Sequence, residues 1–128
     1  MVKLFINGYG NIGRRLATAF DLDREIDLVG IAKYKPDERA IEAISKGYKV
    51  FIPRSMEQEF KNNKLEFTGF LEDAIQKSDI VIDASKEGLG YENKRKFYLP
   101  MKKKAIFQGG EDREGNYSVA DIIHNSRV

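Results

Sequence analysis

Val2-Lys3-Leu4-Phe5-Ile6-Asn7-Gly8-Tyr9-Gly10-Asn11-Ile12-Gly13 joins an apolar run to a glycine turn, and a helical pattern takes over behind it. Strand, G-x-G-x-x-G and helix start, in that order, form the context that a dinucleotide-binding fingerprint requires. Each glycine has a mechanical task. Gly8 permits the tight turn, Gly10 lets backbone approach a pyrophosphate, and Gly13 lets the helix lie close to the strand. Asn11 and Ile12 offer backbone N–H groups at the positive end of the helix dipole, facing the phosphates. The ligand implied is NAD or NADP.

Working outward, strands alternate with helices. Leu4-Phe5-Ile6 is apolar on both faces, as a buried parallel strand is. The spacing predicts a helix over 11–20, with Ile12, Leu16, Ala19 and Phe20 toward the sheet. A second strand follows around 27–33. Pro36 then opens a helix, with Ala40, Ile41 and Ile44 inward and a stop at Gly47. Strand 49–52 ends at Pro53, and Ser55 caps a short helix to residue 62. A short strand is read over 64–68, and a helix over 70–76 with Phe70, Leu71, Ala74 and Ile75 inward. Asp79-Ile80-Val81-Ile82-Asp83 is a further strand. A helix over 91–103 breaks near Leu99, before Pro100, and Ala105-Ile106-Phe107 is the last strand. This alternation predicts an α/β fold, a doubly wound Rossmann-type, mainly parallel sheet with helices on both faces. Residues 1–128 are read as one dinucleotide-binding domain.

Composition narrows the function classes. The 128 residues are 41% hydrophobic, enough for a core, and 22 Lys+Arg stand against 20 Asp+Glu. A net charge of +2 gives no reason to expect nucleic acid or a membrane as partner. No apolar run approaches the roughly 20 residues of a membrane span, and the start lacks a signal-peptide pattern, so the cytoplasm is the expected compartment. The chain has no cysteine and one histidine, His124. A thiolate nucleophile is therefore excluded within it, and a zinc site or histidine-based triad is not expected. No catalytic or metal-ligating residue is assigned.

Cofactor choice is read about 20 residues past the glycines, where NAD enzymes carry an acid for the ribose 2′-hydroxyl. Here the count reaches Lys33, with Lys35 two residues on. Ammonium groups attract a 2′-phosphate that a carboxylate would repel, which favours NADP. Tyr34 between them either stacks on adenine or caps the core edge. Ligands in such folds lie outside the carboxyl ends of the strands. Ser85 and Lys86-Glu87-Gly88 are thus expected beside the adenosine half, and Gln108, Gly109 and Gly110 beside the nicotinamide half. Arg14 and Arg15 are either phosphate-facing or solvated. Asp83 is expected to be paired to a backbone donor or a lysine, with general-base duty as the lesser reading, and Lys102-Lys103-Lys104 to be a solvated helix end ahead of a phosphate site.

The wording Phe5-Ile6-Asn7-Gly8-Tyr9-Gly10-Asn11-Ile12-Gly13-Arg14-Arg15 closely resembles the amino terminus of glyceraldehyde-3-phosphate dehydrogenases. Residues 29–37 (Val-Gly-Ile-Ala-Lys-Tyr-Lys-Pro-Asp), 79–84 and 105–111 resemble the archaeal type of that enzyme, which uses NADP as well as NAD. The likeness runs from Met1 to about Glu111 and loosely beyond. It implies a nucleotide-binding half without the catalytic half, so that the partner is a catalytic half or further copies of the chain. By position Asn11, Ile12, Lys33 and Gly110 match the family's cofactor contacts, and no position matches its nucleophile or catalytic histidine. The implied reaction of the assembled glycolytic enzyme is thiolate attack on an aldehyde, hydride transfer to nicotinamide, then acyl release by phosphate. Tyr34 and Ser85-Lys86 depart from the family pattern, which has a small polar residue and Thr-Pro there. A domain that binds the dinucleotide without turnover, as a sensor or scaffold, is the alternative.

Overall fold

The structure, a computed structural model, describes residues 1–86 and 88–108. Its spine is the opening apolar run, strand β1 (Val2–Asn7). Side chains alternate across a strand, so Leu4 and Ile6 enter one hydrophobic cluster and Phe5 the other. Helix α1 (Asn11–Asp21) leads to β2 (Ile26–Ala32), α2 (Glu38–Ser45) to β3 (Val50–Ile52), and a 3₁₀ turn at 54–56 enters α3 (Glu57–Asn62). Next come β4 (Gly69–Phe70), α4 (Leu71–Lys77), β5 (Ile80–Asp83), α5 (Leu89–Asn93) and β6 (Lys104–Phe107). All pairings are parallel, in the order β4-β3-β2-β1-β5-β6. Strands β2, β3 and β4 therefore build outward on one side of β1, and β5 and then β6 lie on its other side. That reversal between β1 and β5 opens a crevice at their carboxyl ends.

Cores fill both faces. Ala17 of α1, Ala40 and Ala43 of α2 and Phe60 of α3 pack with Leu4, Ile6, Ile31 and Ile52 on one side. Leu71, Ala74 and Ile75 of α4 pack with Phe5, Phe51, Val81 and Phe107 on the other. Each fully buried Phe or Ile contributes roughly 1.5–3 kcal/mol over its exposed state. The expected doubly wound α/β architecture is thus the observed one.

Local expectations differ in instructive ways. α1 turns Gly13 and Ala17 inward, with Leu16 and Phe20 partly buried, while Ile12 and Ala19 are exposed. Small residues win that face because the helix lies almost on the strand. A Cβ on Gly13 would stand 2.9 Å from the Gly8 carbonyl oxygen. On α2, likewise, Ala43 is buried and Ile41 is exposed. Its cap is Asp37, whose carboxylate accepts the Ala40 N–H at 3.1 Å, so Pro36 lies before the helix rather than opening it. Ser55 caps nothing, because the chain enters α3 through the 3₁₀ turn behind Pro53. The strand expected at 64–68 is not formed. Pairing with β3 begins only when the Thr68 N–H reaches the Val50 carbonyl at 2.7 Å, and the ladder proper is Gly69–Phe70. Finally, the helix expected over 91–103 begins earlier, at Leu89, and widens into a π-helical turn, Lys94–Tyr98. In that turn the Leu99 N–H reaches back to the Lys94 carbonyl at 2.9 Å.

Candidate functional site

A cleft of about 480 Å³ opens where the carboxyl ends of β1, β2 and β5 meet. The glycine turn (Gly8, Tyr9, Gly10, Asn11) forms its floor, and Ala32 to Lys35 with Asp37 and Arg39 form one wall. Ala84, Ser85, Lys86 and Leu89 form the other. The volume falls in the range of small-molecule sites, about 300–1,000 Å³.

The turn is built from backbone constraints. Gly8 has φ +147°, a conformation open to glycine, and a Cβ there would stand 2.5 Å from the Ala84 carbonyl oxygen. That close approach welds the exit of β1 to the exit of β5. Gly10 differs. Its φ of −84° suits any residue, and a Cβ on it would meet nothing within 4 Å. The interior of the protein does not require glycine at this point, yet it lines the cleft. α1 begins directly behind it, with the Arg14 N–H on the Gly10 carbonyl at 2.9 Å. No side chain caps that helix and no acid occupies its first turn, so among the described residues its leading N–H groups and dipole face the cleft without an anionic cap.

The β2 wall carries the charge. Lys33, only 11% exposed in its side chain, lies 2.9 and 3.0 Å from the two carboxylate oxygens of Asp37. Burial alone would raise the Asp37 carboxyl. Hydrogen bonds from the Lys33 ammonium and the Ala40 N–H outweigh it and hold the group below the usual carboxylate value. Arg39, from the first turn of α2, donates Nη2 to the Asn11 side-chain oxygen at 2.9 Å. Its Nη1 is buried with no partner among the described residues.

Behind the wall lies a buried polar network. Asn7 accepts the Tyr34 hydroxyl at 2.7 Å and donates to the Tyr98 hydroxyl at 2.7 Å. Asp83 accepts the Ser85 hydroxyl, the Ser85 N–H at 3.0 Å, Asn93 at 3.0 Å and the Tyr98 hydroxyl at 2.5 Å. Asn93 also donates to the Tyr34 hydroxyl at 3.1 Å. Burial, and secondarily the Asp83 charge, push the Tyr34 and Tyr98 hydroxyls well above the ordinary tyrosine value. The network fixes Tyr34 by its hydroxyl at the core edge while the residue still lines the cleft. It also answers the expectation for Asp83, whose partners are neutral donors rather than a lysine.

Of the residues singled out in the sequence, Gly8, Gly10, Asn11, Lys33, Tyr34, Lys35 and Ser85 come together on the cleft, and Gly13 lies directly behind its floor. Ile12 does not line it. Its side chain is 47% exposed on the outer start of α1, which leaves only its backbone N–H in the first turn. Gln108 is also off the cleft lining, with its N–H on the Asp83 carbonyl at 2.8 Å. Gly109, Gly110, His124 and Glu87 lie outside the described residues. Arg14 turns away to Glu42 on α2 at 2.8 Å. Lys103, in the basic run, donates to the Gln76 and Ser78 carbonyls at the end of α4, at 3.0 and 2.7 Å. Sequence reading missed Arg39 altogether. The only available hint was a cation six residues beyond Lys33, at a position that reads as helix surface. Among the described residues no group of acids and histidines could hold a metal ion, and no helix is long and apolar enough to cross a membrane.

No family model matches the chain. Individual proteins do. It is 45% identical over 121 residues to a glyceraldehyde-3-phosphate dehydrogenase of Sulfolobus acidocaldarius, which covers 94% of this chain and 34% of that protein. Against the protein of the same name from Pyrobaculum calidifontis it is 39% identical over 126 residues, 98% of this chain and 36% of the relative. The protein of that name from Saccharolobus solfataricus is 38% identical over 122 residues, 95% and 34%. The chain thus spans about a third of the length of the curated relatives it matches.

Proposed function

We propose that this chain is the dinucleotide-holding part of a glyceraldehyde-3-phosphate dehydrogenase of the archaeal type, the family to which its sequence belongs. The observation that carries the reading is Gly10. It is a glycine on the cleft floor with an unstrained backbone and open space where a side chain would be. A methyl group is missing at the point where a diphosphate would approach the leading N–H groups of α1, and no internal contact accounts for the gap. The donor chemistry fits the same group: uncapped backbone N–H groups for the diphosphate, and cations at the exit of β2 for the adenosine ribose.

In this reading the turn from Gly8 to Gly13 holds the diphosphate, and Lys33 and Lys35 favour NADP over NAD by attraction to the 2′-phosphate. Tyr34 and Ser85, both held by the Asn7–Asp83 network, keep the adenosine side of the cleft rigid. When bound, the dinucleotide supplies a hydride acceptor at its nicotinamide ring. This chain's residues bind and orient it. No cysteine is present to attack an aldehyde, so the proposed activity of the whole enzyme, oxidation and phosphorylation of an aldehyde, draws its nucleophile from sequence outside these 128 residues. Residues 1–128 act here as one dinucleotide-binding domain, partnered by a catalytic part or by further copies of the chain.

Calorimetric titration of the chain with NADP and NAD tests the proposal. Saturable binding at one site per chain, tighter for NADP, is expected, with no turnover of aldehyde by the chain alone. No heat of binding from either dinucleotide at millimolar concentration would overturn it.

A further inference from the structure

Lys33 is where a sequence reading places the selectivity for a 2′-phosphate, but its ammonium is already matched. Both oxygens of Asp37 lie within 3.0 Å of it, and Asp37 is fixed in place as the cap of α2. A phosphate entering there meets a neutralised pair, one half of which repels it. Two cations on this wall, Lys35 and Arg39, have no carboxylate partner among the described residues, and of the two only Arg39 holds a buried donor without an acceptor. Among those residues its one side-chain partner is the neutral amide oxygen of Asn11, and Nη1 is sealed from solvent without an acceptor. A buried charged donor left unmatched carries a desolvation cost that an anion's oxygen would relieve.

Position decides which anion. Arg39 projects from the first turn of α2, which follows the exit of β2, and it touches Asn11, the first residue of α1. Its guanidinium therefore spans the gap between the strand end, where the adenosine ribose lies in doubly wound folds, and the glycine turn. A planar fork of donors at that point matches the oxygens of a phosphate monoester bidentately, which an ammonium does not. We propose that Arg39 is the residue that selects a dinucleotide carrying a 2′-phosphate, exchanging its bond to Asn11 for that group, with Lys33 in a supporting role. The inference rests on the dinucleotide reading above and deepens it.

The experiment titrates the full chain, and its Arg39→Met and Arg39→Lys variants, with NADP, NAD, 2′,5′-ADP and 5′-AMP by calorimetry, with thermal melts to establish that each variant is folded. Arg39→Met is expected to weaken NADP and 2′,5′-ADP at least tenfold while leaving NAD and 5′-AMP within about twofold. Arg39→Lys should recover part of the loss. An equal loss for NAD and NADP would mean that Arg39 serves the diphosphate or the adenine, and unchanged NADP binding would mean that it serves neither; either result overturns the proposal while the wild-type chain still binds dinucleotide. A wild-type chain that binds none of the four ligands would remove the dinucleotide reading itself and this inference with it.

Discussion

Gly10→Ala separates a glycine kept for the fold from one kept for a ligand. The added methyl meets no atom within 4 Å, and φ of −84° is open to alanine. Two small stability effects oppose each other. Alanine is a poorer helix N-cap than glycine, by roughly 0.5–1 kcal/mol, and it narrows the unfolded ensemble by about 0.4–1 kcal/mol. The net change in unfolding free energy should stay within about 0.5 kcal/mol. Binding should respond differently, because the methyl occupies the line along which a diphosphate would reach the N–H groups of α1. A loss of at least tenfold in dinucleotide affinity, about 1.4 kcal/mol, is expected for both NADP and NAD. Gly8→Ala is the contrasting control. Its positive φ and the 2.5 Å approach to the Ala84 carbonyl should destabilise the fold by about 3 kcal/mol or more, taking binding with it. Urea unfolding and calorimetry on the same samples give both numbers. A folded Gly10→Ala variant that binds dinucleotide as tightly as the parent would refute the assignment of the cleft floor.

Asp37→Asn keeps an N-cap for α2 but removes the charge that neutralises Lys33, so the ratio of NADP to NAD affinity should rise about fivefold, equivalent to about 1 kcal/mol; an unchanged ratio would detach this wall from the 2′-position. Tyr98→Phe leaves the Asn7 amide without its acceptor and Asp83 with one donor fewer, and should cost about 1–3 kcal/mol by urea unfolding, with a near-zero change contradicting the network's structural role. High pH tests the same network. The folded chain holds Tyr34 and Tyr98 above the ordinary tyrosine value, so their contribution is whole below about pH 10 and is lost as pH rises toward the folded values. Urea midpoints should therefore drop steeply above about pH 10, and less steeply in Tyr98→Phe; parallel curves would reject the coupling.

What the sequence made legible was local. Leu4-Phe5-Ile6, the glycine turn and Ile80-Val81-Ile82 declare themselves because short runs apolar on both faces, punctuated by glycine, have few other uses in a chain of this length. The face of α1 was misread for a physical reason. Periodicity weighs apolar bulk, which pointed to Ile12 and Ala19, whereas the helix approaches β1 so closely that Gly13 and Ala17 had to face it. Residues 64–68 look like a strand because Leu65 and Phe67 alternate with polar neighbours. Both do pack against the core, but the backbone reaches its partner strand only at Thr68. The π-helical turn that swings Tyr98 onto Asp83 leaves no periodic trace in five residues. Arg39 was invisible for a related cause: its partner Asn11 is 28 positions away and meets it only once both helices are docked on the sheet. The Lys33–Asp37 pair, by contrast, lies only four positions apart. Their spacing is readable, but whether the ammonium turns to the carboxylate or to the cleft is decided by the folded wall.

The most direct measurement is an amide-resolved NMR titration of isotope-labelled chain with NADP. The account predicts that the largest shifts fall on the backbone N–H groups of Asn11, Ile12 and Gly13, with a second group at Lys33 to Arg39. Saturation with the main changes elsewhere, or no change in those three amides at millimolar dinucleotide, would contradict it.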